Sequence, residues 1–316
     1  MRYALRKVVA FVITLFIVSL LTFGVFQVLP GNPVEIMLGV DADPLQVQHL
    51  TEELQLDRPM AERYINWVQG AFTGDLGNSV RYQVPVADML KSSLPVTISL
   101  ALLSIGITVL VVVPVSMYIA KNRNKKRGII LSAFTQLGVS LPSFWVAILL
   151  IFFFSVILHL LPSGDYIPFS ESPSGFFKSM ILPSLAISIG TSSTIIRYLK
   201  NTLLDEMNLD YVKTARSKGL NYRETMYRHV LKNALLPALT ILGMLVVDVL
   251  GGSVIIENIF NLPGIGRLIT SGVGNRDFPL VQGVVFYLAI TVLFVNLLID
   301  IAYTLIDPRI RLGGDE

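Results

Sequence analysis

Few residues in this 316-residue chain are spaced for chemistry. Its three histidines, His49, His159 and His229, form no close-spaced ligand pair, and it has no cysteine for a thiolate centre or a disulfide. A GxxxxGK[ST] phosphate loop, an HExxH pair and a Ser/His/Asp elbow are all absent from the sequence. What remains is acid in apolar surroundings. Asp248 lies well inside an apolar run, Asp300 lies towards the end of another, and Glu257 follows the run that holds Asp248. A carboxylate at membrane depth marks a polar pathway or a specific partner. For Asp248 two readings stand, pathway lining or a structural pair. Glu257 reads as structural or gating at the mouth of a pathway.

The other concentration of polar chemistry is Asn208 to Pro237, NLDYVKTARSKGLNYRETMYRHVLKNALLP. Asn208 is placed to cap a helix, with Asp210 favourable near its positive end. That helix carries Tyr211, Val212, Ala215 and Arg216 and stops at Gly219, which can take a left-handed conformation. Asn221 with Glu224 three residues on has the form of a capping box for a second helix. A plain connecting loop needs neither cap. With Tyr211 and Val212 read as exposed, the segment reads as a docking element.

The elements that must position these residues are apolar. Hydrophobic residues make up 53% and charged residues 15% of the chain, against about a quarter charged in soluble domains. Six runs approach or exceed the roughly 20 residues of a spanning helix: Val8 to Leu29, Thr97 to Ala120, Leu131 to Leu161, Ser179 to Ile196, Ala238 to Ile256 and Leu280 to Ile306. The first is too long for a signal peptide and reads as a retained span. The third exceeds one span, which predicts tilt or projection beyond the bilayer. The fourth carries Ser and Thr, which glue helices or line polar cavities. Between the first two runs, Pro44 behind Asp43 starts one helix. Pro59 to Phe72 forms another, with Met60, Tyr64, Trp67, Val68 and Ala71 on one stripe. That stripe either packs on neighbouring helix ends or lies at the membrane interface. Glu257 to Pro279 reads as an outer loop.

Six spans put both termini on one side, and charge tests this. That side holds 18 of the 25 Lys and Arg residues, in the N-terminus, Lys121 to Arg127, the region from Arg197 to Pro237, and the tail. The positive-inside rule then makes it the cytoplasm. By the same rule, Lys121 to Arg127 is a topology signal, and nucleic acid is not expected as a partner. The expected division is 1–29 (tail and first span), 30–96 (extracytoplasmic), 97–306 (five-helix core with the cytoplasmic loop 197–237) and 307–316 (cytoplasmic tail).

DYVKTARSKG followed by RHVLKNALLP resembles the cytoplasmic loop of binding-protein-dependent ABC importer permeases, in the dipeptide, oligopeptide and nickel branch. The N-terminal MRYALRKVVAFVITLFIVSLLTFGVFQVLPGNP, GDLGNS, LPSFWVAILLIFF, GGSVIIENIFNLPGIGRL and RDFPLVQG resemble it in the same order. Ala215 and Gly219 match the spacing of the family's loop motif, while Lys213 and Thr214 stand where the general motif has Glu and Ala. The resemblance implies an all-α integral membrane subunit with the ABC importer permease fold. It is non-catalytic and holds no cofactor of its own. It pairs with a homologous second permease, two cytoplasmic ATPase subunits that carry ATP and Mg, and an extracytoplasmic substrate-binding protein. It also implies that Asp210, Tyr211, Ala215, Arg216 and Gly219 form the coupling surface and its hinge. Short peptides are the implied cargo, with nickel or a metal chelate as the alternative. From another class, an independent channel or secondary transporter predicts transport by this chain alone, and a structural scaffold predicts none.

Overall fold

The computed structural model describes residues 2–28, 34, 38–39, 43–53 and 56–306. The tail at 307–316 and the side chain of Asp300 lie outside the described residues. The helices, in chain order, are α1 (Arg2–Val28), α2 (Pro44–Glu53), α3 (Met60–Thr73), α4 (Val86–Lys121), α5 (Lys126–Ser140) and α6 (Ser143–Leu150). They continue with α7 (Pro173–Glu206), α8 (Asp210–Ser217), α9 (Tyr222–Thr225), α10 (Leu231–Ile259), α11 (Ile265–Gly274) and α12 (Phe278–Ile306). π-Helical turns extend α6 over Ile151–Ile157 and join α9 to α10 over Met226–Val230. No strand occurs among the described residues.

Four helices among the described residues are long and apolar enough to cross a membrane, at Lys7–Val25, Val86–Lys121, Pro173–Glu206 and Phe278–Ile299. A fifth is counted if α5 and α6 with its π-helical extension form one broken span. At 1.5 Å per residue, the 36 residues of α4 extend about 54 Å, well beyond a hydrocarbon core of about 30 Å. The third apolar run is corrected here. Where the sequence predicts one span that tilts or projects beyond the bilayer, the chain bends by 107° between Ser140 and Ser143. Pro142 lacks an amide hydrogen, and its ring forces Leu141 out of the helical region, to ψ +126°.

The chain divides into two compact units. One comprises residues 1–96 and 263–298, and the other 97–262 and 299–316. In the first, α3 packs its aromatic stripe on two longer helices. Phe23 of α1 meets Tyr64 edge-on at 5.4 Å and Trp67 at 5.9 Å, and Trp67 reaches Phe286 of α12 at 5.0 Å. The stripe thus covers helix surface as one of its two readings required, although Met60 stays exposed. Asp43 does cap α2, accepting from the amide of Leu45 at 2.9 Å. Val86, Leu90, Ile265, Leu280 and Val284 form this unit's core. Gly283 allows a close approach there, since a Cβ on it would sit 2.9 Å from Cγ1 of Val86. The predicted loop from Glu257 to Pro279 is also corrected. Glu257 lies within α10, and α11 fills the middle of the stretch. The buried side chain of Ile265 anchors α11 in the apolar core.

In the second unit α7 is the central helix, with Leu199 and Leu203 fully buried among side chains from α4, α8 and α10. Some of its buried hydroxyls bond back to their own helix. Ser179 and Ser188 bond carbonyls of their own helix three residues back, as Thr191 and Thr194 do four back. Contact with α5 comes instead from Gly138, where any Cβ would collide with the side chain of Ser193.

Candidate functional site

The segment from Asn208 to Pro237 folds as α8, a tight turn and the short α9, which runs through π-helical turns into the start of α10. Helix α8 starts at Asp210, with Leu209 at its N-cap in an extended conformation and no side chain capping it. Asn208 is therefore not the cap. It lies one residue too early, in a turn where its own amide bonds the carbonyl of Asp205 at 3.1 Å. Asp210 stands in the first turn, where a negative charge complements the helix dipole, and pairs with Lys213 at 2.8 Å. Both of those side chains are largely exposed, so the pair contributes little to stability.

Gly219 ends the turn after α8 with φ +89°. Its amide bonds the carbonyl of Arg216 at 2.9 Å, and the amide of Leu220 bonds that of Ala215 at 3.3 Å. Nothing lies within 4 Å of where a Cβ would stand, so backbone conformation, not space, makes glycine suitable here. Asn221 then caps α9. Its Oδ1 accepts from the amide of Glu224 at 2.9 Å, and the Glu224 carboxylate accepts from the amide of Asn221, completing the capping box.

The inward side of α8 is its apolar side. Val212 is 2% and Ala215 8% exposed, and Val212 clusters with Leu199, Leu203, Met226, Val230 and Ala234. The reading of Val212 as exposed is corrected. An eight-residue helix gains too little from its own hydrogen bonds to stand free, so its apolar positions turn to the core. Ala215 is buried against its own chain for the same reason. Tyr211 is half-buried, and its hydroxyl donates to Oε2 of Glu206 at 2.5 Å. Burial, then the bond to Glu206, pushes its pKa up to about 12, against a smaller opposing influence of the Asn233 side chain.

The outward side is polar and mostly basic. Lys213, Arg216, Lys218, Arg223 and Arg228 are exposed. The guanidinium of Arg216 lies over the ring of Tyr222 at 5.5 Å, bracing the Gly219 turn. Burial raises the pKa of Tyr222, while the nearby charges of Arg216 and Arg123 pull it down. The structure thus brings Asp210, Arg216 and Gly219 to the exposed side and turns Tyr211 and Ala215 inward.

The two pathway candidates separate. Asp248 is exposed on α10, in line with the exposed Gly251 and Ile255 at helical spacing. Glu257 is fully buried and accepts from Oγ1 of Thr97 at 2.7 Å. Sequence reasoning missed Glu206 as the partner of Tyr211. It also missed a buried carboxylate, Asp277, in the other unit. Asp277 accepts from the hydroxyl of Ser79, from the amides of Val80 and Arg81, and from the amide of Leu280. The available signal was its place just before Phe278-Pro279, the position of an N-cap.

Residues 112–312 match the family described as the binding-protein-dependent transport system inner membrane component, and residues 1–101 match the N-terminal region described for such components. The chain is also similar to named proteins along nearly its whole length. One from Brucella abortus, provisionally named a peptide transport system permease protein, is 39% identical over 307 residues, or 97% of this chain and 98% of the relative. One from Sinorhizobium fredii, provisionally named a peptide ABC transporter permease protein, is 34% identical over 309 residues, 98% and 99% of the two chains. The oligopeptide transport system permease protein AppB of Bacillus subtilis is 31% identical over 314 residues, again 98% and 99%. With apolar helices of spanning length and both family matches in sequence order, this chain belongs to the binding-protein-dependent transport system inner membrane components.

Proposed function

We propose that this chain is one permease subunit of an ATP-driven importer of short peptides in the bacterial cytoplasmic membrane. It forms half of the pathway, with a homologous permease forming the other half. Two cytoplasmic ATPase subunits hold ATP and Mg, and an extracytoplasmic binding protein delivers the peptide. The chain itself is non-catalytic. The observation that carries the reading is the end-to-end similarity to relatives named as peptide permeases.

The local chemistry supports it. Helix α8, Gly219 and α9 form a braced element with a basic outer face, suited to an acidic groove on a cytoplasmic partner. Asp248 is too costly to leave against lipid, so its exposure on α10 favours the peptide pathway or the second permease. The burial of Glu257 favours a structural part for that residue. Six spans follow if the bent pair is one span and the 29-residue α10 is another. Both termini then lie in the cytoplasm.

The test is purification of the complex and reconstitution in vesicles. The proposal expects two ATPase subunits, a second permease and a peptide-loaded binding protein to accompany this chain. It expects uptake only with ATP. Uptake by the chain alone in vesicles would instead identify a channel or secondary transporter.

A further inference from the structure

We propose that the turn joining α4 to α5 seats the phosphate of an anionic phospholipid, whose acyl chains lie along the exposed apolar side of α5. The proposal needs only that the chain spans a membrane. It does not depend on what the chain transports.

The charge there is concentrated and uncompensated. Five of the seven residues from Lys121 to Arg127 are Lys or Arg, and none is acidic. All five, Lys121, Arg123, Lys125, Lys126 and Arg127, are exposed, and no ion pair among the described residues involves any of them. Lys121 complements the C-terminal end of α4. Lys126 and Arg127 serve no such purpose. They stand in the first turn of α5, which holds no acid, and positive charge at that end opposes the helix dipole. A topology signal needs only the number of charges, not what they meet once the chain is inserted.

The turn that carries them is tightly bonded. Asn122 is buried. Its Nδ2 donates to the carbonyl of Tyr118 at 2.9 Å, and its own carbonyl accepts from the amide of Lys125 at 2.9 Å. Gly128 lets α5 begin directly against this turn, since a Cβ there would collide with the Asn122 carbonyl.

Position and surroundings favour a lipid over a protein groove. The apolar run from Thr97 to Ala120 carries no charge and ends immediately before Lys121, so the turn lies where hydrocarbon gives way to headgroups. Tyr118, one turn earlier, is exposed, as aromatic residues are at that boundary. Beyond the turn, Ile130, Phe134 and Leu137 recur at helical spacing on α5 and, with Ile129, are each more than half exposed. An acidic groove on a soluble partner would meet the cations and leave this apolar side bare. A phospholipid meets both with one molecule.

The test uses the purified full chain in phosphatidylcholine vesicles. The chain has no cysteine, so Ile129→Cys takes a single bimane fluorophore beside the turn. Leu102→Cys, exposed on α4 at about 28 Å from Lys121 along the helix, gives the reference for bulk lipid. Phosphatidylglycerol and phosphatidylcholine, each carrying a nitroxide on one acyl chain, are compared as quenchers. At Ile129→Cys phosphatidylglycerol should be preferred at least about fivefold, the scale of one charge contact at a membrane surface, with no preference at Leu102→Cys. Joint replacement by Lys125→Gln, Lys126→Gln and Arg127→Gln should remove the preference. The charge-keeping set Lys125→Arg, Lys126→Arg and Arg127→Lys should retain it. Equal quenching by the two lipids at Ile129→Cys overturns the proposal, as does the same preference at Leu102→Cys or a preference that survives the glutamine replacements. If those replacements prevent insertion, salt decides. The cations are exposed, so high salt should remove most of the preference, and a preference indifferent to salt overturns the proposal. Equal quenching together with loss of cytoplasmic partners from the glutamine variant's complex would overturn it in favour of an acidic protein surface.

Discussion

The hydroxyl of Ser79 lies 2.5 Å from a carboxylate oxygen of Asp277, a residue 198 positions further along the chain. The same carboxylate accepts from the amides of Val80 at 3.2 Å, Arg81 at 3.1 Å and Leu280 at 3.3 Å, while Ser79 Oγ accepts from the amide of Tyr82. One buried acid thus pins the loop before α4 to the start of α12. The loop beyond the pin is exposed from Arg81 to Pro85.

Removing that acid should free the loop. Asp277→Ala leaves several donors without their acceptor, at about 1–3 kcal/mol for each one that stays buried. Trypsin cleavage after Arg81 should speed up at least about tenfold, because about 1.4 kcal/mol of lost closure already gives that factor. Ser79→Ala should give a smaller effect in the same direction. Cleavage at the unmodified rate in Asp277→Ala would show that the carboxylate does not hold the loop.

Gly219 offers a cleaner separation of conformation from contact. Its φ of +89° strains any β-branched side chain, yet open space surrounds the position. Gly219→Val should abolish uptake while leaving membrane insertion intact. Gly219→Asn should retain a substantial part of uptake, because asparagine tolerates positive φ better. Survival of substrate-stimulated ATP hydrolysis in the Val variant of the assembled complex would sink the coupling role.

Tyr211 should titrate late. Its folded-state pKa of about 12 lies above the ordinary value of 10. The neutral form is the one the fold favours, so its contribution to stability is complete below pH 10 and is lost as the pH rises through 12. The tyrosinate absorbance of the native chain minus that of Tyr211→Phe should show a single step near pH 12. A difference step near pH 10 would mean that the hydroxyl is neither shielded nor bonded as described.

Asp248 tests the pathway. If its carboxylate faces the passing peptide or the second permease, Asp248→Leu should insert normally but lose uptake, by about tenfold for one interaction of about 1.4 kcal/mol. Uptake at the native rate, measured in vesicles at equal complex density, would place the side chain outside the pathway.

The sequence by itself determined what depends on neighbours within one turn or on the apolar content of one run. The start of α2 behind Asp43, the capping box at Asn221 and the left-handed turn at Gly219 are all local, because a cap or a positive φ needs only the residues beside it. The helices of spanning length were legible for a related reason: apolar length is a property of one segment. Only the tertiary structure decided which side of α8 is inside. Val212 and Ala215 share one face at helical spacing, but whether that face meets the chain's own core or a partner is decided only when Leu199, Leu203 and Ala234 stand beside Val212. The same holds for Tyr211, which reads as a surface residue until Glu206 meets its hydroxyl. Asp277 and Ser79 show the limit most plainly. Each sits in a stretch legible as a turn or a helix start, but a hydrogen bond between residues so distant in sequence is set by how the chain packs, not by any local preference.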